Sequence, residues 1–389
     1  MFRIAAFLLM ASWLVRAQLP PSSWKTDLSK KSIDLTELKS GGPPKGGIPA
    51  IDRPRFVSAG EAAPWLNPKE PVLTVEMSGE VRGYPLQILM WHELVNDRIG
   101  ETPILVSYCP LCNSALVFDR RVDGKTYDFG VSGLLRHSDL VMYDGQTDSL
   151  WQQITGEAIV GTLTGKKLGI LPSQTVSFAT FSSNFPAGKV LSRETGYDKP
   201  YGQNPYVGYE FGGRLMMPVT PRRQTRLKPL ERIVTVEVGN KRKAYPLSYL
   251  RDRRVLEDKI KQSRFVVLFE EGTVTTLDRG RIADSRDVGS VGVFHVEIDG
   301  KPLSFRKNGE KVVDRETGST WNVLGIASGG PLAGKRLKPL DHGVYFAFAW
   351  LVFRPDTEIV GEIAAPIEAP DSGLGSRRPP EPSLEPRQP

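Results

Sequence analysis

The stretch that decides the fold is Val72-Leu73-Thr74-Val75-Glu76-Met77, which is followed by Gly83-Tyr84-Pro85-Leu86. Its first part is a short run of β-branched and apolar residues, a pattern typical of a β-strand. The same pattern returns 161 positions later as Ile233-Val234-Thr235-Val236-Glu237-Val238, followed by Ala244-Tyr245-Pro246-Leu247. Because both parts recur at one spacing, the sequence predicts two related units in tandem.

Two further stretches of sequence that recur later in the chain support this prediction. Residues 149–151 and 161–168 return as residues 319–321 and 330–337, with a larger offset that indicates insertions in the second copy. Trp151 therefore has a counterpart in Trp321. A tryptophan present in both copies is more typical of a core residue than of a catalytic one.

The local patterns are mostly those of strands and tight turns. Short β-branched or aromatic runs occupy residues 72–77, 104–108, 114–118 and 265–269. Asp123-Gly124 and Asp299-Gly300 predict hairpin turns, which need the positive φ that Asp-Gly supplies. The chain has 38 glycines and 31 prolines, a composition that favours short strands over long helices.

One helix is predicted over residues 85–95, with Pro85 at its first position and apolar residues at helical spacing. The predicted fold class is α+β and β-rich. It consists of two tandem related units of mainly antiparallel short strands with few helices, flanked by a signal peptide and a disordered Pro-rich tail.

The N-terminal residues have the layout of a secretory signal peptide. Arg3 precedes an apolar run over residues 4–15, and Ala17 is a small residue at the expected cleavage site. The run is shorter than the about 20 residues that span a bilayer, and no later stretch qualifies. We therefore expect a periplasmic or secreted protein with no integral membrane segment after signal cleavage.

The expected organisation follows from these patterns and from composition. It comprises a signal peptide (1–17), an extended leader (18–50), a Cys-motif unit (51–220), a second, degenerate unit without cysteines (221–362) and a disordered tail (363–389).

The net charge of +7 is modest, and its basic clusters lie around residues 222–228, 241–243 and 251–254. A basic patch can mark nucleic acid, but no nucleic-acid motif accompanies these residues. We interpret the clusters as solvated faces and expect no nucleic-acid partner.

Both cysteines of the chain lie in Cys109-Pro110-Leu111-Cys112. A two-residue gap admits a disulfide, a dithiol redox couple or half of a metal site. The strand predicted after the pair argues against a thioredoxin fold, in which a helix follows the motif. The leading hypothesis is an exported thiol oxidoreductase in which one of Cys109 or Cys112 attacks and the other resolves the mixed disulfide. It requires a disulfide or oxidised substrate and an electron donor, and no cofactor.

Two alternatives stay open. The first is a metal-binding module for Cu or Zn that uses Cys109 and Cys112 with His92 or His137. The second is an extracellular binding or scaffold protein in which the pair forms a structural disulfide.

Other polar and aromatic residues close to the motif or in dense polar stretches form the predicted surroundings of the thiols. Arg136, His137 and Asp139 belong to a stretch that could bind an anion or orient a thiol. The complete predicted set around the cysteines is Trp91, His92, Glu93, Tyr108, Pro110, Arg136, His137 and Asp139.

Together these motifs resemble those of the family called domain of unknown function 3179. The matching stretches are residues 90–97 (MWHELVND), 107–114 (SYCPLCNS), 130–142 (GVSGLLRHSDLVM), 149–161 (SLWQQITGEAIVG) and 196–209 (GYDKPYGQNPYVGY). The resemblance implies a compartment outside the cytoplasm and a Cys-based motif. Related sequences are described as including selenoproteins, which implies redox chemistry at the positions of Cys109 and Cys112.

Overall fold

A computed structural model of the protein describes residues 24–361 except 214, 218 and 220–224. The predicted signal peptide (1–17) and the predicted tail (363–389) lie outside the described residues. Among the described residues, no helix has both the length and the apolar character needed to cross a bilayer.

Short strands make up most of the regular structure. The strands before residue 200 are β1 Leu38–Ser40, β2 Phe56–Ser58, β3 Pro71–Met77, β4 Glu80–Pro85, β5 Leu94–Ile99, β6 Thr102–Cys109, β7 Ser114–Asp119, β8 Arg121–Val122, β9 Lys125–Thr126, β10 Phe129–Arg136, β11 Asp139–Asp144, β12 Leu150–Gln152, β13 Glu157–Val160, β14 Gly169–Leu171, β15 Gln174–Ser177 and β16 Lys189–Leu191.

The strands after residue 230 are β17 Arg232–Val238, β18 Lys241–Pro246, β19 Val255–Ile260, β20 Ser263–Glu270, β21 Ser290–His295, β22 Glu297–Ile298, β23 Lys301–Pro302, β24 Phe305–Asn308, β25 Lys311–Asp314, β26 Thr320–Trp321, β27 Ala327–Gly329, β28 His342–Phe346 and β29 Glu358–Ile359. The α-helices are α1 Ala59–Ala62, α2 Leu86–His92, α3 Phe178–Asn184, α4 Leu247–Arg253 and α5 Ala347–Phe353. In the described part of the chain, 3₁₀ turns lie at Leu35–Glu37, Pro110–Cys112 and Ile282–Asp284.

The strands form several small sheets rather than one large one. In the N-terminal half their orders are β1-β10-β11-β12-β13, β14-β7-β6-β5 and β15-β3-β4-β16-β2. In the C-terminal half they are β28-β17-β18-β29, β19-β20-β21 and β24-β25-β26-β27. Antiparallel pairing dominates, with parallel pairs between β4 and β16 and between β18 and β29. The predicted β-rich α+β fold class is confirmed.

A similar order of elements follows both copies of the Tyr-Pro-Leu pattern. The hairpin β3-β4 leads into α2 and then β5-β6, and the hairpin β17-β18 leads into α4 and then β19-β20. Each helix ends at a residue with positive φ, Glu93 at 59° and Arg254 at 65°. The boundaries of the two units at 51–220 and 221–362 stay a prediction.

The helix predicted over residues 85–95 is shorter than expected. It spans Leu86–His92, because the left-handed Glu93 ends it and β5 begins at Leu94. The two Asp-Gly turns are confirmed: Asp123 and Asp299 have a φ of 50°, and a glycine with positive φ follows each.

The Cys motif lies inside the main hydrophobic cluster. This cluster contains Cys109 and Cys112 together with Ile233, Phe346 and other residues from beyond position 230. The segment predicted as an extended leader also packs on the fold, since β1 pairs with β10. Residues from beyond position 230 therefore contribute to the surroundings of the thiols.

Candidate metal and redox centre

The Cys motif forms the tight connection between two neighbouring strands. Strand β6 ends at Cys109, the 3₁₀ turn follows, and Asn113 adopts the left-handed conformation with φ 50° before β7 begins. Pro110 has the fixed φ that suits the first position of such a turn, and Asn tolerates positive φ better than most residues. The reversal places both side chains in the interior: Cys109 is 2% exposed and Cys112 is fully buried. Both are free thiols.

Asp139 is the third member of this site. One of its carboxylate oxygens and the two sulphur atoms all lie within 4.8 Å of one another. Oδ2 accepts hydrogen bonds from Nε2 of Gln152 at 2.6 Å and from the amide of Ile154 at 3.1 Å. Oδ1 is buried, and hydrogen bonds from the thiols of Cys112 and Cys109 also reach this carboxyl group. A buried carboxyl group therefore lies within hydrogen-bonding reach of two buried thiols.

The position of Asp139 follows from the hairpin β10-β11. His137 and Ser138 have φ values of 53° and 63° and form the two-residue turn, so Asp139 is the first residue of β11 and pairs with Arg136. The carbonyl of Ser138 accepts a hydrogen bond from Sγ of Cys112 at 3.4 Å.

Burial dominates the electrostatics of this cluster. It raises the pKa of Cys109 and raises that of Cys112 well above its usual range. It raises the pKa of Asp139 to about 6, and hydrogen bonds from Ile154 and Gln152 oppose the shift. Near neutral pH the thiols therefore keep their protons unless a cation or a base stabilises the thiolates.

Glu93 is a second buried carboxyl group near the thiols. Burial, with the negative charge of Asp139, raises its pKa to about 8. Its backbone joins the end of α2 to β6, because its amide donates to the carbonyl of Leu89 and its carbonyl accepts from the amide of Tyr108 at 2.7 Å. Charge on Glu93 also raises the pKa of Cys109, after the larger effects of burial and Asp139.

Tyrosines from a following segment lie over the Cys loop. The hydroxyl of Tyr209 donates to the carbonyl of Leu111 at 3.1 Å. Burial raises the pKa of both Tyr206 and Tyr209, and charge on Cys109 contributes to each shift. These contacts close one side of the cluster.

The C-terminal half closes the cluster on another side. The hydroxyls of Tyr108 and Thr276 are 2.8 Å apart. Arg232 donates to Oδ1 of Asn113 at 2.7 Å and pairs with Glu210 through Nε at 2.5 Å and Nη2 at 2.9 Å. The left-handed residue after Cys112 is thus held by a side chain from β17.

The two histidines considered as metal ligands make other contacts. Nδ1 of His92 is 2.7 Å from the carbonyl of Pro49, and Nε2 is 2.6 Å from the hydroxyl of Tyr201. Nε2 of His137 lies 3.0 Å from Glu37. Among the described residues, the three-donor group contains neither histidine.

The remaining predicted residues lie in the surroundings rather than in the cluster. Arg136 donates to Glu37 at 2.8 Å and to Oε1 of Gln152 at 3.3 Å. Trp91 is partly buried, and its Nε1 has no hydrogen-bond partner among the described residues. Pro110 shapes the turn, and Tyr108 anchors it to Thr276.

Several contacts of the site were not predicted from the sequence. Gln152 orients Asp139, and Gln153 bonds both Ser107 and Ser114 on the strands that flank the turn. The family resemblance over residues 149–161 covered both glutamines without indicating their role. Arg232 carried no signal, because its partner Asn113 is 119 positions away.

Fold and site together define a β-rich protein with a buried cluster of two thiols and a carboxyl group. A family model described as "Protein of unknown function (DUF3179)" matches residues 45–357, so the chain belongs to this family and the resemblance is confirmed. No curated protein and no solved structure matches the chain.

Proposed function

We propose that this protein is an exported metal-binding protein whose centre is formed by Cys109, Cys112 and Asp139. The observation that carries this proposal is the approach of three buried donor atoms to within 4.8 Å of one another. Sulphur and carboxylate oxygen are both established ligands of zinc.

The unfavourable electrostatics of three buried acidic groups support a cation. Burial raises the pKa of all three groups, which means that their anionic forms lack compensating charge. A bound cation deprotonates coordinating thiols and supplies that charge.

Zinc is the ion that this donor set favours. Two thiolates alone suit the soft ion Cu(I), whereas a mixed set with a carboxylate oxygen suits Zn²⁺. Three protein ligands leave a fourth position for a small molecule. Cu(I) binding at the two thiols is the alternative outcome within the same proposal.

A thiol redox centre is the second candidate, and the pKa of Asp139 near 6 favours it. In this scheme Asp139 takes the proton of Cys109, and the Cys109 sulphur bonds to one sulphur of a substrate disulfide while the other substrate sulphur leaves as a thiol. Cys112 then closes the Cys109–Cys112 disulfide and releases the second thiol, so the substrate is reduced and the pair oxidised. A dithiol reductant must restore the pair. We rank this candidate second because both thiols are buried and buried thiols with raised pKa react slowly.

The test uses the mature protein purified after export, stripped of metal and titrated with Zn²⁺ and with Cu(I). We expect one ion per chain in the wild type and a loss of binding in Cys109→Ser and Cys112→Ser. Asp139→Asn should lower Zn²⁺ affinity by about 100-fold or more, beyond the 10–100-fold typical of outer-shell changes.

Asp144→Asn is the matched control, because Asp144 is a buried carboxyl at the other end of β11 that bonds Trp151 instead of the thiols. It should bind metal like the wild type. A wild type that binds neither ion but cycles reversibly between dithiol and disulfide in defined thiol buffers would replace the metal proposal by the redox candidate.

A further inference from the structure

Exposed apolar side chains are concentrated in the long connection between β16 and β17. Among the described residues, five large apolar side chains are exposed, and four of them, Tyr197, Val207, Phe211 and Met216, belong to this connection. The fifth, Ile170, lies on β14. Single exposed apolar residues are ordinary, but several of them on one connection are typical of a surface that binds a partner.

Part of this connection is held against the loop that joins β20 to β21. The amide of Asn204 donates to the carbonyl of Gly280, and the amide of Gly208 donates to the carbonyl of Asp278, both at 2.8 Å. These bonds place the two loops side by side, so that their outward side chains share one face of the molecule. We call this face the loop surface, and it consists of residues 202–211 and 278–286.

Arginines accompany the apolar side chains on the loop surface. The guanidinium of Arg286 lies over the ring of Phe211, with Cζ 3.9 Å from the ring centre. The side chains of Arg279, Arg281 and Arg286 are each more than half exposed. The chain continues over residues 212–230 with five basic residues and no acidic one. Apolar and basic groups are therefore combined in one region.

The exposed charge of the loop surface is positive. Arg279 and Arg286 lie 3.7 and 3.3 Å from the same carboxylate, that of Asp278, which is buried. Arg281 lies 3.6 Å from Asp284, whose side chain is exposed. Three guanidinium groups and one carboxylate therefore face solvent on this surface. Such a face attracts anionic groups.

We propose that the loop surface binds an anionic lipid bilayer, with Val207 and Phe211 entering the headgroup region and the arginines bonding lipid phosphates. Apolar side chains beside basic ones are the combination that attaches peripheral proteins to anionic membranes. The planar guanidinium bonds two phosphate oxygens at once. A stable protein interface takes about 20–30 residues on each side, more than the two loops contain, so a membrane is the favoured partner. This surface is separate from the Cys109–Cys112–Asp139 cluster and does not depend on what that cluster binds.

The test measures co-sedimentation of the purified mature protein with two kinds of vesicle. One kind is phosphatidylcholine alone, and the other is phosphatidylcholine mixed with phosphatidylglycerol. We expect at least about tenfold tighter binding to the anionic vesicles, and weaker binding at high salt because salt screens the attraction. Equal binding to both kinds of vesicle, or binding to neither, would overturn the proposal.

Two variants locate the surface, and each has a matched control. Phe211→Ser should weaken binding to the anionic vesicles about tenfold, because it removes an apolar anchor. Arg281→Gln should weaken it about fivefold. The controls are Ile170→Ser, which changes an exposed apolar residue on β14, and Arg264→Gln, which changes an exposed arginine 3.7 Å from its nearest carboxylate on another strand. Both controls should bind like the wild type, and a control that loses as much binding as its counterpart would overturn this location.

Two further measurements separate the other partners that such a surface could have. Light scattering without lipid should give the same mass for the wild type and for Phe211→Ser. A dimeric wild type and a monomeric variant would overturn the membrane proposal and make the loop surface an interface between copies of the chain. Binding to soluble polyglutamate, without binding to vesicles, would assign the surface to an acidic protein instead.

Discussion

Nη1 of Arg232 donates a hydrogen bond to Oδ1 of Asn113 at 2.7 Å, across 119 positions of sequence. Asn113 is the left-handed residue directly after Cys112. The same guanidinium forms a two-point ion pair with Glu210, in the segment whose Tyr209 contacts the Cys loop. One side chain from β17 thus holds both the turn that carries the thiols and the segment that covers them.

We predict that Arg232→Met lowers the free energy of unfolding by about 3–5 kcal/mol, because it leaves the buried Glu210 carboxylate without its partner. Urea unfolding measures this loss. Arg232→Lys keeps the positive charge but not the planar guanidinium that bonds both carboxylate oxygens. It should therefore lower the free energy of unfolding by less than Arg232→Met does. The double variant Arg232→Met/Glu210→Gln should recover part of the stability, and a single variant as stable as the wild type would contradict the role given to this pair.

The same Arg232→Met variant should expose the thiols. We expect Cys109 and Cys112 to react several times faster with a small disulfide reagent under native conditions, since the loop and its cover lose a shared anchor. Arg336→Met, which also removes an arginine from an ion pair but one with Glu76 on β3, is the control and should leave that rate unchanged.

Local patterns were sufficient to predict much of the fold. β-Branched runs gave β3, β6, β7 and β20, and the Asp-Gly pairs gave two hairpin turns, because these features depend on neighbours in sequence. The end of α2 was missed, since nothing in the local sequence marks Glu93 as left-handed. The helix propensity of residues 93–95 is overridden here by the pairing of β5 with β6.

The site was predicted less completely, for a geometric reason. The sequence predicts the Cys pair as the site and places Asp139 only in its surroundings, whereas His92 and His137 are predicted as possible ligands from their chemistry alone. The turn at His137-Ser138 directs His137 to Glu37 and starts β11 at Asp139. Contacts such as Tyr108 with Thr276, 168 positions apart, depend on how distant strands pack and leave no local signal.

The free energy of unfolding of the metal-free protein should fall as pH rises from 5 to 8. The folded protein holds the Glu93 proton up to a pKa of about 8, whereas the unfolded chain releases it near the usual 4.5. Between these values the folded state binds more protons, so its stability is greatest at low pH and declines by about 1.4 kcal/mol per pH unit for this group. Urea unfolding of metal-free protein across this range measures the slope.

Glu93→Gln should flatten that slope. Glu70 is a second buried carboxyl, with a pKa raised to about 7, and Glu70→Gln serves as a comparison because it lies outside the cluster. Both variants should reduce the decline, but only Glu93→Gln should also change how Zn²⁺ affinity depends on pH. A Glu93→Gln variant with the wild-type slope would show that Glu93 is not protonated in the folded state.

Trp151 and Trp321 offer a matched pair for separating stability from function. Nε1 of Trp151 donates to Asp144 at 3.0 Å, and Nε1 of Trp321 donates to Asp314 at 2.9 Å. We predict that Trp151→Phe and Trp321→Phe each lower the free energy of unfolding by about 1–3 kcal/mol, because each leaves a buried carboxylate short of a donor. Metal stoichiometry should stay unchanged in both, and a loss confined to Trp151→Phe would indicate a functional role for Trp151.

The ligand set itself can be tested by comparing Asp139 with the two histidines. Asp139→Asn removes a donor that lies within 4.8 Å of both sulphur atoms, whereas His92→Gln and His137→Asn alter side chains that contact Tyr201 and Glu37 instead. We choose Asn at position 137 because its φ is 53° and Asn tolerates positive φ. Competition against a chromophoric zinc chelator should show about 100-fold weaker binding for Asp139→Asn and wild-type binding for both histidine variants. Weaker binding in either histidine variant, at unchanged thermal stability, would restore that histidine as a ligand, and wild-type binding in Asp139→Asn would remove Asp139 from the proposed centre.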